Sequence, residues 1–96
     1  MSGIHVIVTF QTKAEAAAGF SALLAQVQRD LPEVEGCRGV QVFAGAGDPC
    51  LFTLLEEWDS AALHQAHIGR VVASGAWAGI AAQLAAEPLS HYCVRR

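Results

Sequence analysis

Charge is scarce in this chain. Charged residues make up 16% of its 96 positions, and the six basic ones, Lys13, Arg29, Arg38, Arg70, Arg95 and Arg96, are scattered apart from the terminal pair. A nucleic-acid surface needs clustered positive charge facing phosphates, so none is expected. Long apolar runs are missing too, because no stretch reaches the ~18 uninterrupted apolar residues of a membrane span. The first residues lack the basic region, apolar run and small-residue cleavage site of a signal peptide. The expectation is a cytoplasmic protein with no membrane partner. Cys37, Cys50 and Cys93 are odd in number and lack the short paired spacing of zinc or redox motifs. Reduced, buried thiols follow. Glycine-rich phosphate loops, nucleophile elbows and nucleotide fingerprints are absent, as are internal repeats and low-complexity segments.

Apolar side chains are abundant instead, at 53%. That excludes disorder and is high for a small soluble monomer, so part of the excess is expected at a subunit interface. The length fits one domain, residues 1–96, which buries roughly 60 to 65% of its unfolded surface and has no room for a cofactor-carrying second domain.

Residues 3–10 alternate with β-branched and aromatic side chains and read as a strand. Thr12 and Glu15 have the spacing of a capping box, and Phe20, Leu23, Leu24, Val27 and Leu31 recur at helical spacing until Pro32. Residues 37–44 and 50–58 read as strands joined by the Gly45-Ala46-Gly47-Asp48-Pro49 turn. Asp59 or Ser60 is placed to cap a helix that Gly69 stops, and Ser74 to cap another carrying Trp77, Ile80, Ala81 and Leu84 on one face. Residues 89–94 form the last strand. The order predicts an α+β, ferredoxin-like split βαβ sandwich, with a four-stranded antiparallel sheet and helices on one face.

A sheet with one wet face alternates cleanly between apolar and polar residues. Here Ile4, Val6, Val8 and Phe10 share one side while Ile7 lies opposite, and Phe52, Leu54 and Trp58 oppose Leu51 and Leu55. Helices cover only one face, so the other calls for a second copy of the chain, and a homodimer is expected.

The densest polar group is Glu56, Glu57, Trp58, Asp59, His64, His67 and Arg70. Glu56 and Trp58 are two apart in a strand and point the same way. His64 and His67 are three apart in a helix and share a face. A carboxylate, an indole and two imidazoles therefore approach one cavity rim. Trp58 reads either as a core aromatic or as a flat wall for an aromatic ligand. Glu56 reads as a pocket acid or as a carboxylate satisfied locally. The two histidines resemble half a metal site, but without a third ligand no metal is expected. Either one can serve as a base toward a phenol. Tyr92 is the only tyrosine.

Residues Ile4-His5-Val6-Ile7-Val8, Val34-Glu35-Gly36-Cys37, Leu54-Leu55-Glu56-Glu57-Trp58-Asp59-Ser60 and Ala62-Leu63-His64-Gln65-Ala66-His67 resemble the antibiotic biosynthesis monooxygenase family, with Glu56, Trp58 and His67 the most specific part. The resemblance implies a dimeric α+β barrel whose subunits each keep a pocket between sheet and helices. It also implies oxygenation of quinols, anthrones or related phenolic aromatics by molecular oxygen, with no cofactor. On that pattern His64, His67 and Trp58 are the catalytic candidates, and Phe52, Leu54, Glu56, Trp58 and Trp77 bind a small aromatic substrate. His64 stands near a position where polyketide-oxidising members carry tyrosine, and Leu54 where they carry asparagine, a residue this chain lacks entirely. A non-catalytic module that binds a small apolar molecule is therefore the alternative. Haem-degrading relatives add an iron-binding histidine on the later helix, where Ala76-Trp77-Ala78-Gly79-Ile80 offers no ligand.

Overall fold

The computed structural model describes residues 3–96. Four antiparallel strands, β1 (Ile4–Gln11), β2 (Cys37–Ala44), β3 (Leu51–Trp58) and β4 (Leu89–Cys93), lie in the order β2-β3-β1-β4. Helix α1 (Ala17–Asp30) links β1 to β2, and α2 (Ala61–Ala73) and α3 (Ala76–Ala81) link β3 to β4. This is the α+β, ferredoxin-like arrangement expected from the order of apolar periodicities.

Register decides which residues meet. Val6 pairs with Glu56 on one side and Tyr92 on the other, and Val8 pairs with Leu54 and Ser90. These positions, with Phe10, Phe52 and Trp58, face the helices, and alternate residues of β3 are buried in strict sequence. The helix-facing core has two parts. Phe10, Phe52, Leu54, Phe20, Leu24 and Leu84 form one, in which the Phe20 ring meets Phe10 and Phe52 at centroid distances of 5.2 and 5.5 Å. Val6, Leu31 and Trp58 form the other. Helix α1 supplies both, because Phe20 and Leu24 fall one turn apart and the same stripe continues to Leu31.

The opposite face carries Ile7, Leu51 and Leu55, half-buried, with Phe43 and Leu89 exposed. No helix packs on it among the described residues. His5 and His91 are diagonal neighbours there, since Ile7 pairs with His91 and His5 with Cys93. The three thiols are free and half-buried.

Three local expectations are corrected. Thr12 does not cap α1: its amide donates to the Cys50 carbonyl at 2.8 Å and it bridges to Leu84, so the chain stays extended and enters α1 through a 3-10 turn at Ala14–Ala16 with no side-chain cap. Gly69 does not stop α2. A glycine inside a helix costs only about 1 kcal/mol relative to alanine, and the apolar stripe through Ile68, Val71 and Val72 carries the helix on. It ends instead where Gly75 takes φ +86, a left-handed conformation suited to glycine. Gly75, not Ser74, is then the residue that precedes α3, although the Ser74 hydroxyl still accepts from the Ala76 amide. At the other end of α2 the cap is Ser60, whose Oγ accepts from the Leu63 amide at 3.2 Å.

Candidate functional site

Sheet and helices do not close completely on each other. Between them lies a cavity of about 680 Å³, floored by Val8, Phe10, Leu54, Glu56 and Ser90 and walled by side chains of α1, α2 and α3. Its lining is overwhelmingly apolar. Gln26, Asp30, Glu56, His64, His67 and Ser90 bring polar groups to it, and no lysine or arginine side chain lines it.

Glu56, His64 and His67 each arrive for a local reason. Glu56 sits in the buried phase of β3, and its carboxylate is held by Trp58, whose Nε1 donates to Oε1 at 2.8 Å. Residues two apart on a strand share a face, which lets the indole two positions on reach back to its neighbour. His64 and His67 lie one turn apart on α2 and both reach the cavity. The two imidazoles pack on the same indole, His64 edge-on at 5.3 Å and His67 tilted at 5.4 Å between centroids.

Burial works against charge on all three of these groups. Burial pushes the Glu56 carboxyl up from its ordinary 4.5, with the Trp58 hydrogen bond pulling the other way. Burial lowers His64 from 6.5, helped by neighbouring His67, and lowers His67, helped by the Arg70 charge. Two imidazoles pushed toward their free-base forms are proton acceptors at neutral pH. His64 Nε2 stands 3.9 Å from Glu56 Oε1, beyond hydrogen-bond reach, and with the histidine neutral this is a close approach rather than an ion pair.

Of the residues expected at the site, Leu54, Glu56, His64, His67 and Trp77 line the cavity. Two do not. Trp58 is completely buried and lies outside the cavity wall, so it holds Glu56 and supports the imidazoles rather than offering a flat wall to a ligand. Phe52 is likewise outside the wall, packed against Phe20. Each ring is covered by its own neighbours, Trp58 by Val6 and Leu31 and Phe52 by Phe10 and Phe20. Among the described residues no three histidine, cysteine, aspartate or glutamate side chains are placed to hold a metal ion.

One polar partner was not foreseen. Tyr92 Oη lies 2.8 Å from His64 Nδ1. Only the β1–β4 register, which puts Tyr92 beside Val6, reveals this proximity.

A family model described as antibiotic biosynthesis monooxygenase matches residues 3–71, most of the chain. The fold is shared with a conserved protein from Methanosarcina mazei Go1, at 23% identity over 100% of this chain and 95% of that one, with a TM-score of 0.85. It is also shared with a Bordetella bronchiseptica protein provisionally assigned as an antibiotic biosynthesis monooxygenase, at 21% identity, 100% and 99% coverage and a TM-score of 0.83. A Nitrosomonas europaea protein with the same provisional assignment is 16% identical over 97% and 89%, with a TM-score of 0.85. No curated protein matches the chain. The match over residues 3–71 means that the chain belongs to the antibiotic biosynthesis monooxygenase family.

Proposed function

From that family membership and the cavity geometry, we propose that this protein is a monooxygenase that binds a small, uncharged phenolic or quinol aromatic and oxidises it with molecular oxygen, without a cofactor. The observation that carries the reading is the cavity itself: about 680 Å³ of apolar space with two neutral imidazoles and a carboxylate at one place on its wall. An aromatic body fits the apolar lining, and its hydroxyl finds an acceptor at His64 or His67. A phenolate so formed can itself pass an electron to oxygen, so the protein need supply only a base and a dry, shaped site. The absence of lysine and arginine from the lining disfavours substrates that carry carboxylate or phosphate groups.

Oxygen uptake with a panel of naphthols, quinols and anthrones tests this reading. Acceleration by the purified protein, reduced in His64→Gln or His67→Gln, is the expected result. No acceleration across the panel rejects it for those classes.

A second reading, a non-catalytic module for a small apolar molecule, draws support from Leu54, which puts hydrocarbon in the cavity floor. Saturable quenching of Trp77 fluorescence in a Trp58→Phe background, with no product by mass spectrometry, favours it. Under either reading the apolar face of Ile7, Leu51, Leu55, Phe43 and Leu89 is proposed to pair with a second copy of the chain, and sedimentation of a 10-kDa particle in dilute solution rejects that pairing.

A further inference from the structure

The row of residues across the sheet at Val6 places two polar groups at opposite ends of one imidazole. Val6 pairs with Glu56 on β3 and with Tyr92 on β4, and all three point toward the helices. His64 comes down from α2 between them, almost fully buried, edge-on to both the Trp58 and Tyr92 rings. Its Nδ1 is 2.8 Å from the Tyr92 hydroxyl, and its Nε2 is 3.9 Å from Glu56 Oε1.

These distances choose a tautomer. Glu56 Oε1 already accepts the Trp58 indole N–H at 2.8 Å and is too far from Nε2 to accept a second hydrogen bond. A proton on Nε2 thus has no protein acceptor and only cavity water to donate to, water that an aromatic ligand displaces on binding. A proton on Nδ1 donates to the Tyr92 oxygen, and the tyrosine, half exposed on an edge strand, keeps its own O–H free for water. Every donor is then satisfied, and the Nε2 lone pair is left on the Glu56 side of the cavity.

We propose that Tyr92 is a positioning residue for His64: its hydroxyl holds Nδ1–H, fixing the ring and leaving Nε2 as the proton acceptor that a phenolic ligand meets. The inference rests on the function proposed above for the same cavity, and it selects His64 over His67, for which no hydrogen bond of the ring is found among the described residues.

The test separates the two ideas. In protein labelled with 15N at histidine, long-range proton–nitrogen spectra at pH 7.5 are expected to show His64 protonated at Nδ1. Tyr92→Phe, which removes one oxygen from a half-exposed side chain and leaves the fold intact, is expected to abolish that signature in favour of Nε2–H. With 1-naphthol as the probe, kcat is then expected to fall roughly tenfold with KM unchanged. An Nε2–H form in the unmutated protein, an Nδ1–H signature that survives the substitution, or a tautomer change with no change in kcat overturns the proposal. Unmutated protein that turns over no phenol, yet loses the Nδ1–H signature in Tyr92→Phe, rejects the oxygenase reading and leaves Tyr92 as the group that orients His64.

Discussion

Phe52 and Trp58 stand six residues apart on the same face of the same strand, and the two ends of the protein differ because of them. At the Phe52 end three phenylalanine rings and three leucines pack together with no titratable group among them, and the buried polar atom beside them, Thr12 Oγ1, has no hydrogen-bond partner among the described residues. At the Trp58 end an equally buried ring carries one N–H, and that N–H needs an acceptor. Glu56 provides it, which brings a carboxyl group into the interior and sets two imidazoles against the indole. One end is hydrocarbon that also lines the cavity. The other does the same mechanical work while holding titratable groups, so along a cavity that both clusters border the polar handle on a single aromatic ring sets where the titratable groups gather.

Removing each ring tests the mechanical half of that contrast. Phe20→Ala and Trp58→Ala should each lower stability by about 3 to 5 kcal/mol through cavity formation, read from urea midpoints. If the Trp58 variant costs much less, the ring is not the support inferred here. Loss of activity in Trp58→Ala alone says nothing of catalysis, because the imidazoles lose their packing surface at the same time.

Trp58→Phe keeps most of the ring and removes the N–H. Its cost should be about 1 to 3 kcal/mol, dominated by leaving the Glu56 carboxylate without its donor. The carboxyl should also titrate higher than in the unmutated chain, followed by its 13C resonance. An unchanged titration would mean that the indole does not hold Glu56.

The smallest effect is in the pH dependence. Glu56 is raised in the folded state, so the native protein holds its proton at pH values where the unfolded chain has lost it. Its contribution to stability is therefore greatest near and below 4.5 and declines as pH rises through the folded value. His64 and His67 are lowered, so they act in the opposite sense: stability falls as pH drops below 6.5 toward their folded values. Glu56→Gln keeps an oxygen for the indole and removes only the first slope. Its stability relative to the unmutated protein should rise as pH increases from 4.5 to 8, whereas Phe20→Leu should shift the whole curve without changing its shape. A Glu56→Gln curve parallel to that of the unmutated chain would show that the carboxyl titrates as it does in solvent.

Much of this organisation was legible in the residues. The β1, β2, β3 and β4 periodicities and the stripe of α1 predict the α+β sandwich, and the two-residue step between Glu56 and Trp58 predicts that they share a face. The i, i+3 spacing of His64 and His67 likewise predicts a common side of α2. Local signals misled where tertiary contacts outweighed them: Thr12 was drawn into sheet pairing, and Gly69 was carried through by an apolar stripe that continues past it.

By itself, then, the sequence determined which residues alternate, which recur at helical spacing and which chemical groups lie near one another along the chain, since those follow from backbone periods of two and 3.6. Only the tertiary structure decided that Trp58 lies behind the cavity rather than on it, and that Tyr92 meets His64 from a strand twenty-eight residues further on. Strand register and the gap between layers depend on how every side chain packs at once, and no local pattern encodes them.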